Sequence, residues 1–198
     1  MAAKPAKVNL KIYQGSTFSQ NLKWESGTKA YAEILSIDKS APAVIQTLNP
    51  VSMPSNWRCW VSGVKGMKEI NSEEFYLCTD VSGTQVTINA LDSSGFSEYQ
   101  SGGILSWYVP VDLSVYTGAR LQIRKTLASA EVLHEATAGD GGGIEIRPDV
   151  GEVVITIEHT ATQNFDFSSA VYSLEVYNDS EVVTLCSGLV TLQKEVTR

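Results

Sequence analysis

Val8, Leu10 and Ile12 alternate with Asn9, Lys11 and Tyr13. A period of two sends one set to a buried face and the other to solvent, which predicts a strand. Beyond the turn Gln14-Gly15-Ser16, the residues Phe18, Gln20, Leu22 and Trp24 share a second alternating face. The two strands are expected to form an opening hairpin. Residues 34–37 and 43–45 flank Asp38-Lys39-Ser40-Ala41-Pro42 and predict another hairpin. Pro50 and Pro54 make residues 49–56 a loop, because each removes an N–H donor and restrains the residue before it. Strands are expected at 57–62, at 75–79 paired with 85–90 around Val81-Ser82-Gly83-Thr84, and at 104–109.

The alternation is most regular after Pro110. Ala119, Leu121 and Ile123 interleave with Arg120, Gln122 and Arg124, giving one apolar and one polar, basic face. Further strands are expected at 131–135, 144–146, 153–157, 170–177, 182–186 and 189–192, with one helical turn within 160–166. No heptad and no long helical period occurs. Short strands separated by frequent turns predict an all-β chain built as a sandwich or barrel.

The chain has 198 residues, 43% of them hydrophobic, enough for one large or two small β domains. Its net charge of −7 argues against a general nucleic-acid or anionic-membrane binder. The charge is uneven. Residues 1–24 hold Lys4, Lys7, Lys11 and Lys23 and no acid, so they carry +4 and the rest carries −7 − 4 = −11. Two readings follow: a solvated basic face, or an arm that docks on an acidic neighbour, including another copy of the chain. The cysteines Cys59, Cys78 and Cys186 are odd in number and widely spaced, so they predict buried thiols in a reducing compartment, not a disulfide framework or a zinc site. The N-terminus has no apolar stretch of signal-peptide type, and no run approaches a membrane span, so folding in a cytoplasm is expected.

Candidate chemistry is sparse. There is no G-x-S-x-G, P-loop, H-E-x-x-H or dinucleotide fingerprint. His134 and His159 lack metal-ligand spacing. Asp140-Gly141-Gly142-Gly143 offers one carboxylate where calcium takes several oxygens, and it leads into the strand-like Ile144-Glu145-Ile146, not into a phosphate-binding helix. Glu73-Glu74 lies in a turn, without the separated, environment-tuned carboxyls of a glycosidase. Trp24, Trp57, Trp60 and Trp107 fall in strands, where core or interface packing is the expected role. No catalytic, cofactor-binding or metal-binding residue is assigned. Arg120 and Arg124 are either solvated or in contact with an acidic partner.

Two stretches carry a resemblance. Within residues 28–110, Gly63-Val64-Lys65-Gly66-Met67-Lys68-Glu69-Ile70-Asn71 precedes Phe75-Tyr76-Leu77, and Asp92-Ser93-Ser94-Gly95-Phe96-Ser97-Glu98-Tyr99-Gln100-Ser101-Gly102-Gly103 follows. The pattern is similar to a module of phage tail proteins related in shape to the first catalytic-cysteine half-domain of ubiquitin-activating enzymes. The resemblance implies a small β-barrel and no ubiquitin chemistry, since neither Cys59 nor Cys78 matches a nucleophile motif. The second stretch is split. Residues 10–24, residues 111–124 with Asp112-Leu113-Ser114-Val115-Tyr116-Thr117-Gly118-Ala119-Arg120, residues 170–176 and residues 188–192 resemble the β-sandwich of phage long-tail-fibre attachment and baseplate proteins. Gly118 adds one residue to the expected Tyr-Thr-Ala-Arg pattern and suggests a bulge.

The expected fold is therefore all-β, an Ig-like antiparallel β-sandwich with a small β-barrel module inserted in one loop. The sandwich takes residues 1–28 and 110–198, with 1–6 as a flexible arm, and the module takes 29–109. The resemblance implies a non-enzymatic virion structural protein, a tail, collar or baseplate adaptor made in a bacterial cytoplasm. Its partners are further copies in a ring and other phage tail, collar or fibre proteins, with no nucleic acid, membrane or cofactor. Candidate partner-contact residues are Lys4, Lys7, Lys11, Tyr99, Trp107, Arg120 and Arg124. The alternatives are a carbohydrate-binding host-adhesion module, using exposed aromatics such as Tyr99, Trp107 or Tyr108, and a head decoration protein.

Overall fold

The computed structural model describes residues 5–195. Its strands begin with β1 (Ala6–Lys7), β2 (Leu10–Tyr13), β3 (Phe18–Lys23), β4 (Glu25–Asp38), β5 (Ala43–Thr47), β6 (Trp57–Ser62), β7 (Tyr76–Cys78), β8 (Asp80–Ser82), β9 (Gln85–Ile88) and β10 (Ile104–Pro110). They continue with β11 (Gly118–Arg124), β12 (His134–Ala138), β13 (Gly143–Arg147), β14 (Glu152–Ile157), β15 (Ser169–Tyr177) and β16 (Val182–Gln193), and a single turn of helix, α1 (His159–Thr162), lies between β14 and β15. The chain is all-β and divides into two compact units: Trp24–Val111, and the described residues on either side of it. No helix among the described residues is long and apolar enough to cross a membrane.

The outer unit is a β-sandwich wound from one nine-stranded sheet in the order β1-β16-β15-β11-β12-β13-β14-β3, with β2 also on β16. Most pairings are antiparallel; β1 and β2 run parallel to β16, and β12 runs parallel to β13. Alternation decides the core: Leu121 and Ile123 of β11, Val153 and Ile155 of β14, and Leu174 and Val176 of β15 are all buried. The expected opening hairpin does not form. β2 pairs with β16 from Val190↔Leu10 to Gln193↔Tyr13, and β3 pairs with β14 from Glu152↔Lys23 to Ile157↔Phe18. Each strand gains a ladder against a strand that already faces the core, and the four-residue β2 is too short to give β3 an equal one. Of the arm expected over 1–6, Ala6 is already in strand β1, and Lys4 lies outside the described residues.

Smaller departures have similar causes. The strand expected at 131–135 is shifted to His134–Ala138, which turns Ala136 inward opposite Leu121. The two C-terminal strands are one, with the register shift on its partner between Leu174 and Glu175. No shift occurs at Gly118, which pairs with Tyr177 in an unbroken ladder; the Tyr177 ring covers the glycine, and a Cβ there would meet it at 2.5 Å.

The inner unit is a nearly closed, barrel-like sheet in the order β7-β6-β10-β4-β5-β9-β8. Its first and last strands in that order, β7 and β8, are consecutive in the chain. The 14-residue β4 anchors it, pairing with β10 along its first part and with β5 along its last. Trp57, Cys59, Val61, Met67, Ile70, Val86, Leu105 and Trp107 pack its interior. The expected pairing of 75–79 with 85–90 is divided: β7 pairs with β6, while β8 pairs with β9 across the two-residue turn Gly83-Thr84. Gly83 holds the left-handed φ of +59° that such a tight hairpin favours. At the two ends of this unit, Val111 N–H donates to the Trp24 carbonyl at 2.9 Å.

Candidate interaction surfaces

The long motif of the inner unit resolves into contacts between its own two halves. Gly66 has φ +86°, and a Cβ there would stand 2.2 Å from the Glu98 carbonyl oxygen. Lys65 bridges to Ser101, with Lys65 N–H donating to the Ser101 carbonyl at 2.9 Å. Asn71 closes the first half on itself: its Oδ1 accepts from Val64 N–H at 2.9 Å and its Nδ2 donates to the Val64 carbonyl at 3.0 Å. Glu69 Oε1 accepts from the Ser97 hydroxyl at 2.7 Å and from Ser97 N–H at 2.9 Å. Hydrogen bonding, from backbone N–H and from Ser97, holds the Glu69 carboxyl below its ordinary pKa. Ser93 is fully buried and donates to the Asp38 carbonyl at 2.8 Å. These residues build a clasp between two loops, and the motif needs them for shape.

The titratable residues do not converge. His134 is half-buried, and its ring packs edge-on against Phe165 at 5.6 Å. Burial alone pushes its pKa down. His159 is exposed at the start of α1. Glu73 and Glu74 are exposed in a turn. No group of three or more histidine, cysteine, aspartate and glutamate side chains suited to a metal ion occurs among the described residues. All three cysteines are buried, and desolvation pushes the Cys59 thiol up to about 12. The most complete ionic cluster is a clamp: Arg147 sits 2.8 Å from Glu145 and 2.9 Å from Glu152, and Asn21 donates to the other oxygen of Glu152 at 3.2 Å.

The candidate contact residues have separate environments. Lys7 is exposed, with its Nζ 3.4 Å from the Ser187 hydroxyl. Lys11 Nζ lies 4.9 Å above the Tyr13 ring. Arg120 pairs with Glu175, its cross-strand neighbour, at 2.7 Å. Arg124 donates to the Ser129 and Ala130 carbonyls at 2.8 and 2.7 Å and so secures the loop after β11. Tyr99 is half-buried, with its hydroxyl 3.0 Å from the carbonyls of Ile34 and Gly102. Trp107 is only 3% exposed, which corrects its reading as a surface aromatic. Neighbouring strand residues point to opposite faces, so Trp107 and Tyr108 do not share one.

Sequence reasoning missed an aromatic face on the outside of the inner unit. Trp60 packs edge-on against Phe75 at 6.3 Å and against Tyr108 at 5.7 Å. Lys29 Nζ stands 5.1 Å from both the Trp60 and Tyr108 ring centres. Arg58 lies over Phe75 at 5.2 Å and grips Glu25 with two hydrogen bonds. Register explains the gathering: Ser106 of β10 lies opposite Trp60 of β6 on one side and Tyr31 of β4 on the other. Phe75, Leu77 and Tyr31 are exposed by 51%, 45% and 65%, more apolar surface than strands give to solvent by chance alternation. The signal in the sequence was period-two spacing, Trp60 two residues from Arg58 and Tyr31 two from Lys29. Only strand order makes these pairs neighbours.

No family model matches the chain, and no curated protein matches it.

Proposed function

We propose that the chain is a structural protein of a tailed-phage virion: a tail, collar or baseplate adaptor that assembles into a ring and attaches fibres or spikes. In this reading it works by surface contact and catalyses nothing. The observation that carries the reading is the aromatic face of Trp60, Phe75, Tyr108 and Tyr31, with Leu77 beside it, displayed by a unit set within another β unit. Exposed aromatics and arginine are the side chains that anchor protein interfaces. The resemblance of both units to phage tail and baseplate proteins supplies the address. Mass spectrometry of purified virions tests it: the chain is expected at stoichiometric abundance in the tail fraction, and its absence from the particle refutes the reading.

The same face favours one second reading, a carbohydrate-binding adhesion module, because sugars stack on aromatic rings. In that case a glycan array binds the wild-type chain and loses signal with Trp60→Ala. An array without signal removes this alternative and leaves the adaptor reading standing.

A further inference from the structure

Ile34 N–H donates to the Gly103 carbonyl at 3.0 Å. In an antiparallel ladder the bonding direction alternates residue by residue. Ile34, Ala32 and Ala30 therefore turn their backbone groups toward β10, and Glu33, Tyr31 and Lys29 turn theirs to the opposite edge. On that edge β5 pairs with β4 only from Ile34 onward, and the Glu33 carbonyl accepts from Leu48 N–H at 2.9 Å. The N–H and C=O groups of Tyr31 and Lys29 meet no backbone partner among the described residues. The middle of a long strand is thus an open edge, which is where strands add.

A groove of about 390 Å³ runs along this edge, lined by Ala30, Ala32, Glu33, Leu48, Pro50 and Trp107. The two alanines keep its β4 side low, and Leu48, 53% exposed, forms the apolar wall opposite. Trp107 is almost completely buried, and its indole N–H meets no acceptor among the described residues. Buried donors normally have one. An extended chain in the groove brings carbonyl oxygens to this wall. Charge selects the occupant. The Lys29 ammonium is held over Trp60 and Tyr108, whereas the exposed Glu33 carboxylate has no cation within ion-pair distance among the described residues.

We propose that this edge binds an extended peptide of a partner chain by strand addition, with a basic side chain beside Glu33 and small apolar side chains over Ala30 and Ala32. Main-chain hydrogen bonds supply the affinity, and the alternate side chains supply the selection. The inference concerns the inner unit alone and does not depend on the virion reading.

The probe is a short capped peptide of alternating lysine and valine, labelled with fluorescein and titrated with the full chain. It is expected to bind, and methylation of alternate backbone nitrogens should weaken it about tenfold or more, because each lost bond leaves a partner unsatisfied. Tyr31→Pro removes one edge-facing N–H and leaves the β10 ladder intact, so it should weaken binding by a similar factor at an unchanged melting temperature. Glu33→Lys should reverse the preference toward a glutamate–valine peptide. The proposal is overturned if the lysine–valine peptide does not bind, if its methylated form binds equally well, or if Glu33→Lys leaves the preference as it was.

Discussion

The Tyr172 hydroxyl donates to the Val8 carbonyl across 2.9 Å. The same carbonyl lies against Gly188, the cross-strand partner of Tyr172, where an added Cβ would stand 1.9 Å from it. The segment joining β1 and β2 lies along β16 because position 188 has no side chain and position 172 has a hydroxyl. One glycine and one phenol thus secure the parallel ladder that replaces the expected hairpin.

Gly188→Ala should therefore destabilise the outer unit by about 1–3 kcal/mol, the usual cost of forcing atoms into a packed site. Tyr172→Phe should cost about 1 kcal/mol by removing one hydrogen bond. Urea unfolding followed by far-UV circular dichroism checks both, and a neutral Gly188→Ala would mean that Val8 does not lie on β16.

Gly66→Ala should disrupt the inner unit. The substitution meets both a left-handed φ and a backbone oxygen that has no flexible side chain to move aside. Amide exchange is expected to rise in residues 63–71 and 92–103 while the outer unit keeps its protection. Unchanged exchange in both loops would remove the clasp.

The buried thiols should be silent. Cys59, Cys78 and Cys186 lie away from solvent, and the high pKa of Cys59 leaves almost no thiolate at pH 8. Native protein should react negligibly with a disulfide reagent on the timescale of minutes, and denatured protein should react at all three positions. Rapid labelling of the native chain would contradict this burial.

His134 should contribute a pH dependence of known sign. Burial depresses its folded pKa below the ordinary histidine value of about 6.5, so below that pH the unfolded chain takes up the proton first. This part of the stability is complete above about pH 6.5 and falls as the pH drops toward the folded value. Melting temperatures across this range should fall less steeply for His134→Gln than for wild type. Parallel curves for the two proteins would count against the buried neutral imidazole.

Much of the fold was legible because alternation records which face of a strand is buried. Ala119, Leu121 and Ile123 read as one buried face, and all are buried. Pairing was less legible, because period-two spacing fixes a face and not a neighbour. Leu10 and Ile12 satisfy the same pattern beside β3 or beside β16, and only the close approach at Gly188 decides for β16. The aromatic face was hidden for the same reason: Trp60, Tyr108 and Tyr31 stand far apart in the chain and meet through Ser106. Trp107 shows the opposite error. Its residue type suggested a surface anchor, yet its place one residue before Tyr108 on β10 turned it into the core.

The hydrogen bond from Val111 to Trp24 makes the two ends of the inner unit immediate neighbours. A stretch of DNA encoding residues 24–111 is thus a portable cassette. Removing it asks the remaining chain to span only the gap between two adjacent strands, and transplanting it asks a new host for nothing more than a loop with close ends. Recombination can therefore exchange what this unit recognises while leaving the surrounding framework as it was.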